Sequence, residues 1–221
     1  MENVLPVQKL VGPNVGLCGP DFQFLAKSSF CYGFWRGRHF ATLHSGFYWL
    51  SRMQKPFLID PSLYDLNKPV ADLAEIRRFN QQRFELEMLT AIVYDDWDSK
   101  SCVGYRDLTE EEFWVRGHMP NFALMPGVLM CEAAAQVASY FVGKHELMTD
   151  CIMGFAGLEG IRFRGIVTPN NRFVIQAKML HYRKKLISAQ FQGILNDKIV
   201  CEGVIKGVPL GVSDLNAVSQ Q

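Results

Sequence analysis

His118 and Glu132 flank a Met125-Pro126-Gly127 turn, and the residues after Pro126, Glu132 among them, read as a helix. An imidazole has an ordinary pKa of about 6.5 and can serve as a base near neutral pH. Glu132 interrupts a segment that is otherwise apolar. A carboxyl in such a place must be paired, protonated or put to use, because burying it alone is costly. Desolvation favours the protonated form, which makes it a candidate general acid. Gln136 lies one helical turn further on and can hydrogen-bond that carboxyl. Pro126-Gly127 would open the helix and leave its first N–H groups, at the positive end of the dipole, aimed at a carbonyl oxygen. Gly127 lets a ligand come close to the backbone. A base, an acid and an oxyanion site together suit proton abstraction beside a carbonyl with loss of a neighbouring hydroxyl. Plainer alternatives stay open: a loop histidine with a structural bond, a buried Glu–Gln pair, an ordinary helix start. Cys131, beside Glu132, has no histidine at helical spacing and reads as core.

The elements that must position these groups follow from pattern. Asp72, with Glu75 three residues on, predicts a helix from Leu73 that fades near Gln82. Leu89–Tyr94 reads as a strand ended by Asp95-Asp96, and Ser101–Asp107 as its hairpin partner. The helix after Pro126 is apolar nearly all round and so should be buried; Gly143 suits its C-cap. Strands are expected at Met153–Phe163, Phe173–Tyr182, Leu186–Leu195 and Ile199–Val208. Within Phe173–Tyr182, Phe173, Ile175, Ala177 and Met179 share one face, and Arg172, Val174, Gln176 and Lys178 the other. Asn196-Asp197-Lys198 marks a tight hairpin. The order implies an α+β fold in which a curled antiparallel sheet wraps one long central helix.

Composition narrows the functional classes. The chain has 221 residues, a net charge of +1 and 48% hydrophobic residues. That balance argues against a nucleic-acid partner. Six cysteines form no CxxC pair, and no metal-ligand spacing occurs among the five histidines. No apolar run reaches the roughly 18 residues of a membrane span, and no secretory leader opens the chain. A cytoplasmic protein with reduced thiols is expected, without metal or cofactor. Residues 1–52 differ: two acidic residues, and aromatics crowded between Phe30 and Trp49. They form either an extension packed on the domain or a partner, or a segment upstream of a translation start at Met53. Residues 53–75 read as a linker with turns at Lys55-Pro56, Asp60-Pro61 and Lys68-Pro69. The main domain covers 76–210, and 211–221 is a polar, flexible tail.

The stretch Gly117-His118-Met119-Pro120-Asn121-Phe122-Ala123-Leu124-Met125-Pro126-Gly127-Val128-Leu129-Met130-Cys131-Glu132-Ala133-Ala134-Ala135-Gln136 resembles the active segment of the β-hydroxyacyl-acyl-carrier-protein dehydratases, roughly GHFPGxPxMPGVLxxEAxAQ. Arg162-Phe163-Arg164 with Val167 and Pro169 is similar to a later strand and turn of that family. The likeness runs over about residues 76–208. It implies the hotdog fold and dehydration of a 3-hydroxyacyl thioester, carried by acyl carrier protein or CoA, to the trans-2-enoyl thioester. It implies His118 as base, Glu132 as acid, and Gly127 with Val128 and Gln136 on the substrate side. It also implies a homodimer, in the family often a trimer of dimers, whose sites draw the two catalytic residues from different protomers. Arg162 and Arg164, and less so Arg183, Lys184 and Lys185, are candidates to meet an acidic carrier protein. Asn121 and Ala123 depart from the family's glycine and proline, and Asn170-Asn171 from its Gly-Asp turn; Asn tolerates left-handed φ, so the turns can survive. A hotdog thioesterase and a non-catalytic acyl-binding or scaffold protein are the alternatives.

Overall fold

The computed structural model describes residues 55–148, 151–183 and 185–211. The aromatic segment 1–52 and the tail beyond Gly211 lie outside the described residues. Helix α1 is Leu73–Phe79, strand β1 Ala91–Asp96 and β2 Ser101–Asp107. A short helix α2, Phe113–Gly117, leads to the long helix α3, Gly127–Lys144. Strands β3 Cys151–Phe163, β4 Arg172–Arg183, β5 Leu186–Leu195 and β6 Lys198–Gly211 complete the chain. They form one antiparallel sheet in the order β1-β2-β4-β5-β6-β3. No helix among the described residues is long and apolar enough to cross a membrane.

Helix α3 lies on the concave face of the sheet. Ala133, Ala134, Val137 and Phe141 are fully buried against Phe173, Ile175 and Phe191 of β4 and β5. Small side chains bring the helix close: a β-carbon on Gly104 of β2 would sit 3.1 Å from Val137. The expected β4 alternation is observed, with Phe173, Ile175, Ala177 and Met179 in this core. Asp72 caps α1 by accepting from the Glu75 amide at 2.9 Å. The Glu75 side chain turns instead to Arg78 and Lys144, so only half of a capping box forms. Asn196 and Asp197, both at positive φ (48° and 58°), make the β5–β6 hairpin turn. Gly143, expected as the C-cap of α3, lies within the helix. Its β-carbon would meet Phe79 at 2.9 Å, so glycine there permits the close α1–α3 approach, and Glu146 takes the left-handed position at φ 52°.

The other face of the sheet is covered along its middle. Val103, Gln176, Gln192, Glu202 and Arg162 stand side by side across β2, β4, β5, β6 and β3. Residues 55–59, within the segment expected as a linker, run across that row as a strap. Gln176 accepts from the Ile59 amide at 3.0 Å and donates to the Ile59 carbonyl at 2.7 Å. Gln192 accepts from the Leu58 amide at 2.9 Å and donates to the Pro56 carbonyl at 3.2 Å. Glu202 accepts from Lys55. Ile59 then packs with Val93, Val103, Val174 and Ile194 in a second, smaller core. A polar side chain in a strand is ordinarily read as solvent-facing; here the glutamines act as ladder partners for the strap.

The sheet's two edges differ. β1 is short and paired to Ala71, which exchanges bonds with Ile92 at 2.9 and 3.2 Å. β3 is longer, pairs only with β6 among the described residues, and exposes Phe155, Leu158 and Phe163. Gln176→Leu should lower the free energy of unfolding by about 1–3 kcal/mol, because the buried Ile59 N–H and C=O lose their partner. Urea unfolding of the variant against the parent checks this, and an unchanged midpoint would contradict the strap's coupling to the sheet.

Candidate active site

The site is assembled from α2, the loop after it, and the first turns of α3. Trp114 is buried, 3% exposed, and anchors α2 in the core. His118 caps α2, its amide donating to the Trp114 carbonyl at 2.8 Å. The loop reverses through Met119 and Asn121, at φ 53° and 77°, and the Phe122 amide closes it on the Met119 carbonyl at 2.8 Å. Asn121 thus adopts the left-handed conformation that a glycine would otherwise supply. Asn170 does the same at φ 60° in the β3–β4 turn. The His118 ring places Nδ1 2.9 Å from the Leu124 carbonyl. A carbonyl only accepts, so Nδ1 bears a hydrogen, and in the neutral ring the lone pair that a base requires is then on Nε2.

The Met125 amide donates to the Val167 carbonyl at 2.7 Å, fixing the approach to Pro126, and α3 starts at Gly127 as expected. Its first N–H groups have no intrahelical acceptor. The Phe163 ring lies over Gly127: a β-carbon there would sit 2.7 Å from it. Glycine is therefore required by the close ring, and Phe163 adjoins the candidate site although residue type alone did not reveal it. Val128 is 71% exposed on the first turn.

Glu132 is half-buried and opens onto a cavity of about 100 Å³ between α3 and strands β3, β5 and β6. Ala135, Ala138, Val142, Met153, Ile187 and Ile205 supply apolar wall. The space exceeds what one water needs and its walls suit a hydrocarbon. Oε1 of Glu132 accepts from Gln136 Nε2 at 2.8 Å and from Gln82 Nε2 at 3.3 Å. Gln136 is 2% exposed, donates also to the Leu86 carbonyl at 2.7 Å, and accepts from the Met88 amide at 2.9 Å. Its amide is thus fully engaged with protein, which fits orienting Glu132 better than touching a substrate. His118 is not among the residues lining the Glu132 cavity.

The two arginines expected to meet a partner differ. Arg162 is exposed on β3. Arg164 is committed to Glu202, with Nε 3.0 Å from its Oε1. Burial opposes ionisation of Glu202, but hydrogen bonds from Lys55 and Arg164 outweigh it and hold the carboxyl below the usual carboxylate range. Arg164 thereby clamps the strap end of the sheet, which weakens its candidacy as a free docking cation. Burial pushes the Cys131 thiol up to about 11 and the Cys201 thiol to about 12. Neither is a nucleophile near neutrality, in line with Cys131 as core. Among the described residues no His/Cys/Asp/Glu group is arranged to hold a metal ion.

A curled antiparallel sheet around one central helix, with Glu132 in the second turn of that helix and His118 on the loop that leads to it, defines a hotdog-fold protein. The FabA-like domain family matches residues 80–204, and the chain belongs to that family. It is 26% identical over 134 residues to the 3-hydroxyacyl-acyl-carrier-protein dehydratase FabZ of Listeria monocytogenes, covering 61% of this chain and 92% of that protein. It is 30% identical over 141 residues to the protein of the same description from Polynucleobacter necessarius, covering 63% and 94%. In structure it is similar to the dehydratase heterocomplex ApeI:P from Xenorhabdus doucetiae, with a TM-score of 0.54 at 14% identity over 66% of this chain and 97% of the other. It is also similar to Cj0977, a sigma28-regulated virulence protein of Campylobacter jejuni, with a TM-score of 0.50 at 15% identity, covering 67% and 99%. These structural likenesses speak to fold.

At pH 8 both buried thiols lie on the protonated side of their raised pKa values, so iodoacetamide should leave Cys131 and Cys201 unmodified in the folded protein and label them in denaturant. Peptide mapping by mass spectrometry reads this, and rapid native labelling of Cys131 would reopen a thiol role.

Proposed function

We propose that the protein dehydrates a 3-hydroxyacyl thioester, carried by acyl carrier protein, to the trans-2-enoyl thioester. The observation that carries this reading is a carboxyl held by two amides at the mouth of an apolar cavity, in a chain of the FabA-like family that also holds a loop histidine whose Nε2 has no partner among the described residues. His118 Nε2 takes the α-proton. The electrons of that C–H bond form the Cα–Cβ double bond as the Cβ–O bond breaks. Glu132 gives its proton to the departing hydroxyl, which leaves as water. Negative charge developing on the thioester oxygen is met by the unpaired N–H groups at the start of α3, Gly127 and Val128. The acyl chain lies in the cavity along α3.

In this reading the working unit is a homodimer. The long β3 edge with its exposed Phe155, Leu158 and Phe163 is the kind of surface that soluble proteins cover. Joining two copies there lets the His118 loop of one protomer complete the Glu132 cavity of the other. The catalytic domain spans residues 76–210 together with the strap and the Ala71 bridge that pack on its sheet, and Arg162 is the better placed of the two arginines to meet an acidic carrier.

His118→Ala and Glu132→Ala should each lower turnover by roughly 10²–10⁴-fold while leaving the fold intact. The check is loss of enoyl absorbance when a trans-2-enoyl thioester is hydrated, with circular dichroism as the folding control. Co-expressing the two variants should restore part of the activity, since a mixed dimer rebuilds one complete site. Full activity in either single variant, or release of free thiol without enoyl chemistry, would sink the assignment.

A further inference from the structure

Gln82 lies on the loop between α1 and β1, and its residue type alone does not mark it for function. Its amide nitrogen donates to Oε1 of Glu132, the same oxygen that receives Gln136 Nε2. Its own Oε1 is buried without a partner among the described residues. A buried amide oxygen in that condition weakens a fold, so stability alone does not account for a glutamine here. The loop is held firmly nonetheless: Arg83 donates to the Asn80 and Gln82 carbonyls at 2.8 and 2.6 Å, and Asn80 Nδ2 donates to the Gln136 carbonyl at 3.0 Å.

We propose that Gln82 is a positioning residue for Glu132, its amide joining that of Gln136 to saturate Oε1 and so consign the catalytic proton to Oε2. The inference rests on the dehydratase reading of Glu132. The terminal torsion of a glutamate is broad and roughly two-fold, so one donor leaves the carboxyl free to exchange its oxygens. Two donors on one oxygen remove that freedom. A proton on Oε1 would displace one of them and strand a buried N–H. Among the described residues no donor reaches Oε2, so Oε2 is the oxygen that meets the β-hydroxyl. The ionisable groups facing this corner are Lys206 of β6, paired with Glu159, the Arg77–Glu87 pair, and Cys151 of β3.

Gln82→Met removes the donor and the orphan oxygen together at similar volume. In the full-length protein it should lower kcat for dehydration about 10-fold with KM within about twofold, as expected when an interaction specific to the transition state is lost. Losing an N–H donor disfavours the carboxylate, so the alkaline limb of the kcat profile should move to higher pH. The Tm should stay level or rise. Gln82→Glu should move the limb further, because a second carboxyl resists ionisation of the first. Titration of the Glu132 carboxyl by ¹³C NMR in parent and Gln82→Met, assigned with Glu132→Gln, reads the same shift without turnover. An unchanged Glu132 midpoint, or an unaltered kcat profile with a lowered Tm, would overturn the proposal and leave Gln82 a structural residue. A parent that turns over no thioester would instead sink the dehydratase reading, while the NMR titration would still decide whether Gln82 holds the carboxyl.

Discussion

The side-chain amide of Gln136 is the interaction on which the site depends. It sits fully inside α3, where an unsatisfied polar group would be costly, and every atom of it is used. One bond goes to Glu132 and two go to the backbone of residues 86 and 88. A single glutamine thereby ties the central helix to the loop that carries Gln82 and leads into β1. Its backbone carbonyl accepts from Asn80 and ties in the end of α1 as well. Glu132 can remain in a largely apolar helix because these amides receive it and the cavity beside it is open.

The same device recurs on the opposite face of the sheet. Gln176 and Gln192 each offer a complete amide to the backbone of the strap, and Glu202 receives Lys55 and Arg164 at its end. The middle of the sheet is therefore buried on both faces, on one by a helix and on the other by an irregular segment. Among the described residues that segment has no strand neighbours of its own, and side-chain amides take the place of a ladder. Glutamine suits this use because its head carries both a donor and an acceptor at the reach of one strand pleat.

Much of the architecture was legible in the residue pattern, because periodicity reports burial directly. The hairpin β1–β2, the start of α3 at Gly127 and the alternation of β4 all follow from spacing of apolar residues and turn chemistry. His118 and Glu132 stood out as ionisable groups where the pattern called for a turn and a core helix. What escaped depends on contacts distant in sequence. α2 is too short to show a period and is held by one buried tryptophan. Spacing puts Gln176 only on the face opposite Phe173 and does not mark Gln192 at all, since nothing local announces the strap. Gly143 looked like a cap, but its reason is Phe79 on another helix. Arg164 looked like a free cation, and its partner Glu202 lies on β6. Phe163 joined the site only because the fold carries β3 past the end of α3.

The strap has a consequence for the order in which the chain acquires its structure. Its bonds to Gln176 and Gln192 join residues 117 and 134 positions apart, and the Lys55–Glu202 pair spans 147. Closing loops of that length is entropically costly until the intervening chain is already compact. The row of glutamines that receives the strap exists only after β2, β4, β5 and β6 have found their register. On these grounds the strap is the last part of the described domain expected to dock and the first expected to peel away. It is a latecomer that seals a sheet already built around its helix.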